Sequence, residues 1–202
     1  MTRIKFCGMR NPSDVITASA LGVDYVGFIL TQGFRRSIGL GTFCELVSYL
    51  DDHRSSAKKV GVFVDEPIEK IMEYYAQELD IIQLHGNESN DQIKMIQKLT
   101  GKPVIKSFTV TSEYDLQLAQ LSSADYILLD SGKGTGKTFD HSLIKSIQRP
   151  FFLAGGLTWE NVGKAIKTLH PFAVDASSSL ETDGKKDKTK MAAFAAAVRK
   201  EG

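Results

Sequence analysis

Short apolar runs recur along the chain at nearly even spacing. They occupy residues 3–7, 25–30, 60–64, 80–84, 104–108, 126–130, 151–154 and 172–175. Each is rich in β-branched and aromatic side chains and bounded by Gly, Pro or Asp. Runs that short, with that composition, predict strands. Between them the apolar positions fall at helical spacing. The predicted helices cover 14–21, closed by Gly22; 41–50; 67–79, with Pro67 at its start; 90–99, stopped at Gly101; 159–169, capped by Thr158; and 188–200.

Strand alternating with helix is the signature of βαβ units and a parallel sheet. Eight strands in 202 residues leave about 25 residues per unit, compact for an α/β (β/α)8 TIM barrel but within its range. An open doubly wound sheet is the alternative, and the strand number favours the barrel. The length predicts a single compact domain over residues 1–202.

Composition narrows the function classes. The 25 Lys and Arg against 24 Asp and Glu give a formal charge of +1. With no basic stripe, nothing points to nucleic acid. No run of roughly 18 apolar residues predicts a membrane span. Cys7 and Cys44 are too few for a disulfide framework or a metal cluster. Residues 1–8 lack the apolar core of a signal peptide, so the expected compartment is the cytoplasm.

In a barrel of this kind chemistry sits where the strands end. Strand 1 ends in Cys7-Gly8, strand 4 in His85-Gly86, strand 6 in Asp130 and strand 8 in Asp175, while strand 7 runs into Gly155-Gly156. Alternation puts Lys5 and Cys7 on one face of their strand and Leu128 and Asp130 on one face of theirs, so if the last residues point into the mouth, Cys7 and Asp130 both do. Closure brings strand 8 beside strand 1, so a group held by the last two loops would lie between Cys7 and Asp130. Gly155 and Gly156 let backbone N–H groups approach an anion, and Ser177, Ser178 and Ser179 add hydroxyls. These features predict a phosphorylated small-molecule substrate, with His85 and Asp175 as further substrate-binding candidates.

Each feature also has a plainer reading. Glycine pairs make turns, Cys7 suits a buried wall and Cys44 the core of its helix. The Arg35-Arg36 pair is either solvated or a holder of a carboxylate, which the planar guanidinium suits. The run 185–188 reads as a solvated charged face. Residues 131–138 contain Gly-Lys-Thr after a strand, but a nucleotide-binding P-loop needs glycine where Ser131 stands. That stretch reads better as a lid over the pocket, with a helix starting near Asp140.

The strand-end residues, in order, resemble the phosphoribosylanthranilate isomerase family. The matching pieces are Lys5-Phe6-Cys7-Gly8, Gly27-Phe28, residues 60–64, Gln83-Leu84-His85-Gly86 and Leu128-Leu129-Asp130. They continue through 134–140, Ala154-Gly155-Gly156-Leu157, Asn161-Val162 and 174–178, and close with Glu181 and 184–187. The resemblance implies an Amadori rearrangement of N-(5-phosphoribosyl)anthranilate, with Cys7 as general base, Asp130 as general acid and Arg36 on the anthranilate carboxylate. It implies no cofactor and no metal. Three departures stand out: Gly33-Phe34-Arg35 replaces a serine-containing motif, which leaves Arg35 as a substitute for Arg36; His141 replaces a tryptophan; and Ser179 replaces a glycine. The thiolate that the base role requires needs a nearby cation, for which Lys5 is the candidate. Alternatives are another phosphosugar isomerase or epimerase on this fold, and a non-catalytic phosphometabolite-binding barrel. The expected assembly is a monomer or homodimer.

Overall fold

The computed structural model describes residues 1–130, 144 and 147–201. Eight parallel strands close into a barrel in sequence order: β1 Arg3–Cys7, β2 Tyr25–Ile29, β3 Lys58–Phe63, β4 Ile81–Leu84, β5 Val104–Thr109, β6 Tyr126–Asp130, β7 Phe151–Ala154 and β8 Ala173–Ala176. The last pairing, Lys5 with Asp175 and Phe6 with Ala176, joins β8 to β1.

Seven helices lie among the described residues: α1 Pro12–Ala20, α2 Leu40–Asp52, α3 Ile68–Tyr74, α4 Asn90–Thr100, α5 Glu113–Gln120, α6 Val162–Leu169 and α7 Lys188–Arg199. Their ends follow local chemistry. Asn11 accepts from the Asp14 amide and Pro12 opens α1, where its missing N–H costs nothing. Ser89 and Gln92 form a capping box on α4, which ends in left-handed Gly101.

Three boundaries depart from the sequence reading. Helix α5 is additional; its signal was Ser112-x-x-Asp115, which forms a second capping box. Helix α3 stops at Tyr74 rather than 79. The Tyr75 ring is buried 5.4 Å from Phe43 and 5.7 Å from Phe63, and that packing draws its backbone out of the helix. Helix α6 starts at Val162; Thr158 opens an irregular turn, its Oγ accepting from the Glu160 amide.

Alternation along the strands divides the core in two. Ile4, Phe6, Val26 and Phe28 face the helices, in the large outer core. Tyr25, Val60, Ile81, Ile105, Leu128, Phe152 and Ala173 fill the barrel itself. Its N-terminal end is sealed by aromatic rings, with Tyr126 stacked 5.1 Å from Phe172 and Arg3 over the same ring at 4.3 Å. One step toward the C-terminal end, the inward positions become polar: Lys5, Gln83 and Ser107 are all buried there. The barrel is thus an apolar plug below and a polar floor above. A two-stranded hairpin, β9 Glu181–Thr182 with β10 Lys185–Lys186, follows β8.

Candidate active site

The polar floor opens into a cavity of about 570 Å³, of the size that takes a small molecule. Cys7, Arg36, His85, Asp130, Gly155, Gly156, Asp175, Ser177 and Ser178 all line it. The structure therefore brings together every candidate the strand ends and loops supplied. The stretch 131–138, with its P-loop and lid readings, His141 and the start of the helix near Asp140 lie outside the described residues.

Cys7 ends β1 opposite Gly27 of β2 and is buried. A Cβ on Gly27 would lie 2.8 Å from the Cys7 Sγ and 3.2 Å from the Lys5 Nζ, so sulfur and ammonium crowd one spot. Lys5 is wholly buried and donates to both Asp175 oxygens at 3.1 Å. Burial pulls the Lys5 pKa down, but Asp175 and Cys7 outweigh it and hold the ammonium charged. At Cys7 the balance runs the other way. Burial pushes the thiol above its ordinary range, against the opposing pull of Lys5 and, more weakly, Lys186.

Asp130 ends β6, half-buried, in register with Ala154 at the start of the glycine loop. His85 is open to the cavity, yet desolvation by the protein packed around the ring pushes the imidazole below its ordinary pKa, against the opposing pull of Asp130. Its Nδ1 lies 3.3 Å from the Gln83 amide nitrogen, which also donates to Ser107 at 3.2 Å. The Gln83 carbonyl oxygen is buried without a hydrogen-bond partner among the described residues. Sequence reasoning gave Gln83 no role of its own.

The loop after β7 carries φ +90° at Gly155 and +62° at Gly156, the region glycine enters without strain. Asn161 ties that loop down, its side-chain amide donating to the Gly156 carbonyl at 3.0 Å. After β8, the Ser177 hydroxyl donates to the Cys7 carbonyl at 3.0 Å, linking this loop to the base candidate. Ser179, at the position where the resemblance led to an expected glycine, lies in a short 3₁₀ turn, Ser178–Leu180, with no positive φ. The substitution therefore demands no strained backbone.

Two readings of the sequence are corrected. Cys44 is exposed on α2, not packed in its core. The 185–188 run is not uniformly solvated, because the Lys186 side chain is only 1% exposed. It donates to the Ser177 carbonyl at 2.8 Å and to Glu181 at 3.3 Å. Of the two readings open for the arginine pair, Arg36 fits the carboxylate holder, while the Arg35 side chain is 60% exposed. Arg36 donates from Nε and, at 3.0 Å, from Nη2 to the buried Glu181 carboxylate, and Arg35 reaches the same group at 2.7 Å. Burial acts to raise the Glu181 carboxyl, but Arg36 and Lys186 outweigh it and bring it to about 2. Glu181 and Lys186 went unnoticed as a site because the hairpin that carries them is two residues per strand. The hint was Gly184, a turn residue between them.

Among the described residues no cluster of three or more His, Cys, Asp or Glu side chains could hold a metal ion, and no helix is long and apolar enough to cross a membrane. Fold and cavity together define a (β/α)8-barrel enzyme with its pocket at the C-terminal mouth of the strands.

Comparison with known proteins narrows this class. The family model for N-(5′-phosphoribosyl)anthranilate isomerase matches residues 4–197, and the chain belongs to that family. The N-(5′-phosphoribosyl)anthranilate isomerase of Clostridium acetobutylicum is 40% identical over 210 residues, covering 99% of each chain. That of Caldanaerobacter subterraneus subsp. tengcongensis is 39% identical over 207 residues, covering 98% of each. The crystal structure of phosphoribosyl anthranilate isomerase from Thermotoga maritima superimposes with a TM-score of 0.90 at 35% identity, over 99% of this chain and 100% of that one. A phosphoribosyl anthranilate isomerase in complex with reduced 1-(o-carboxyphenylamino)-1-deoxyribulose 5-phosphate gives 0.88 at 35% identity, over the same shares.

Proposed function

We propose that this chain converts N-(5-phosphoribosyl)anthranilate to 1-(2-carboxyphenylamino)-1-deoxyribulose 5-phosphate, with Cys7 as base and Asp130 as acid. Family membership makes it an isomerase of tryptophan biosynthesis. The observation that carries the residue roles is that Cys7 and Asp130 line one cavity with Arg36 and the two loops after β7 and β8.

In this reading Asp130 gives its proton to the ribose ring oxygen. The C1′–O bond breaks, the anilino nitrogen supplies the electron pair, and an iminium forms. The Cys7 thiolate then removes the C2′ proton, and those electrons neutralise the iminium as an enolamine. Tautomerisation moves the C2′ hydroxyl proton to C1′ and leaves the ketone. Asp130 ends ionised and Cys7 protonated, and proton exchange with solvent resets the pair. The reaction is redox-neutral overall and balances without a co-reactant.

The surroundings support these assignments. Burial favours the thiol over the thiolate, and the Lys5 ammonium beside it works the other way, stabilising negative charge as the thiolate forms. The left-handed glycines and Ser177–Ser178 suit the 5′-phosphate, in the position where barrels of this kind bind phosphate. Arg36 takes the anthranilate carboxylate at the other end. Anchoring at two points holds C2′ near Cys7, and positioning of this kind is worth several kcal/mol. His85, whose lowered pKa favours the neutral ring, and Asp175 complete the sugar's surroundings.

The test is the loss of phosphoribosylanthranilate fluorescence on adding purified protein, followed for wild type, Cys7→Ala and Asp130→Asn. Turnover by wild type with near-complete loss in both variants is expected. Undiminished turnover in either variant removes its residue from the chemistry.

A further inference from the structure

Arg36 reaches the cavity from the loop after β2, while the carboxylate that grips it comes from β9, 145 residues later. A guanidinium has two edges that can each meet a carboxylate with paired N–H groups: one formed by Nε and a terminal nitrogen, the other by the two terminal nitrogens. Glu181 takes the first edge of Arg36, through Nε and Nη2. Among the described residues that leaves the terminal edge for a second carboxylate, with its direction set by the first.

Glu181 is itself held firmly. Its side chain is 4% exposed, Lys186 donates to its Oε1 at 3.3 Å, and Lys190 donates to its backbone carbonyl at 2.7 Å. Lys186 also bonds the Ser177 carbonyl, so the hairpin spans from the arginine to the loop after β8. Around this single carboxylate stand three cations, Arg35, Arg36 and Lys186. The cluster keeps surplus positive charge at the cavity wall, which an incoming carboxylate meets.

We infer that Glu181 is a positioning residue for substrate recognition, orienting the terminal edge of Arg36 toward the carboxylate of the aryl group. This rests on the reading that Arg36 binds that carboxylate. It differs from a role in charge balance alone, and the two roles have opposite consequences. Replacing Glu181 by Gln removes a negative charge, so pure charge balance would make anions bind tighter. Loss of orientation makes the carboxylate-bearing ligand bind weaker. An amide presents one acceptor oxygen where the carboxylate presented two, so it cannot keep the paired grip on Arg36. Its remaining oxygen can still serve Lys186, which keeps the loop after β8 in place.

The experiment measures kcat, KM and two inhibition constants in wild type, Glu181→Gln, Arg36→Ala and the double variant. The inhibitors are reduced 1-(o-carboxyphenylamino)-1-deoxyribulose 5-phosphate, which carries carboxylate and phosphate, and inorganic phosphate, which lacks the carboxylate. In Glu181→Gln, KM and the inhibition constant of the reduced compound should each rise roughly tenfold, because a small displacement of a binding group is costly. Inhibition by phosphate should change less than about twofold. In the double variant Glu181→Gln should add nothing to Arg36→Ala, because it acts through that side chain. Tighter binding of the reduced compound, an equal loss for phosphate, or a further tenfold loss in the double variant each overturns the inference. Unchanged affinity in Arg36→Ala overturns the underlying role of Arg36. A loss there with none in Glu181→Gln overturns the positioning role alone. If Glu181→Gln does not fold, Glu181→Asp, which retains the charge but shortens the reach, is read the same way: selective loss of the reduced compound supports positioning, and unaltered affinity rejects it.

Discussion

Lys5 and Asp175 face each other across the seam that closes the barrel, the ammonium 3.1 Å from both carboxylate oxygens. The pair lies where the apolar plug gives way to the cavity. Its lysine is wholly buried, so neither removal is neutral. Lys5→Met leaves a carboxylate with no counter-charge and is expected to cost about 3–5 kcal/mol. Lys5→Met with Asp175→Asn should recover much of that stability, because no lone charge remains. Urea unfolding of the single and double variants checks this. Equal losses in both would show that the pair's charges are not what stabilises the seam.

The raised pKa of Cys7 sets how its reactivity depends on pH. The thiolate is the nucleophile, and burial favours the thiol. Alkylation of Cys7 by iodoacetamide should therefore be slow at neutral pH and climb with a midpoint above the ordinary thiol range. The measurement is made by mass spectrometry in a Cys44→Ser background, since Cys44 is exposed and would react as well. A midpoint below the ordinary range would mean that Lys5 and Lys186 outweigh burial.

Cys7→Ala and Asp130→Asn test chemistry separately from binding. Loss of one partner in general acid–base catalysis typically costs about 10² to 10⁴ in rate. Each variant should show that loss in kcat while still binding the reduced product compound within a few-fold of wild type. Loss of binding on the same scale as loss of kcat would point to a damaged pocket.

Glu181 should contribute an acid limb to stability. Its pKa is about 2 in the folded protein against an ordinary 4.5. A depressed carboxyl stabilises fully above the ordinary value and loses that contribution as pH falls through the folded one. The window is thus from 4.5 down to about 2, and the contribution is on the order of 3 kcal/mol. Glu181→Gln should be less stable at neutral pH and show a flatter decline across the window. Parallel acid-unfolding curves for the two proteins would contradict it.

Gly8 couples the base strand to the arginine. It sits at φ +76°, and a Cβ there would lie 2.6 Å from the Arg36 Cδ. Gly8→Ala is expected to lose about 1–3 kcal/mol of stability from the backbone alone, and the displaced Arg36 should raise KM more than it lowers kcat. Thermal melts and steady-state kinetics together check it; an unchanged KM would mean that Arg36 can shift without consequence.

Much of this molecule was legible from residue order. Eight short apolar runs spaced by helices predict the barrel because strands buried on both faces must be apolar throughout, and covering helices must return between them. The strand ends then point to Cys7, Asp130 and the Gly155–Gly156 loop, since the fold puts inward-facing residues at strand C-termini around one mouth. Helix lengths were less legible where a single ring, such as that of Tyr75, found a pocket that local propensity does not register.

By itself, then, the sequence determined the barrel, the family and the residues that share the cavity, because these follow from periodicity and from motifs carried within single strands and loops. Only the tertiary structure decided the partners of those residues. That Lys5 meets Asp175 and that Arg36 is gripped by Glu181 are pairings across 170 and 145 positions of chain, and the burial of Lys186 follows from the second, since it bonds the same Glu181 from within the hairpin. Such pairings depend on barrel closure and on the path of one short hairpin. Chain order carries no distance at that separation, so charge runs that look alike in sequence part into exposed Lys185 and buried Lys186 only once the chain has folded.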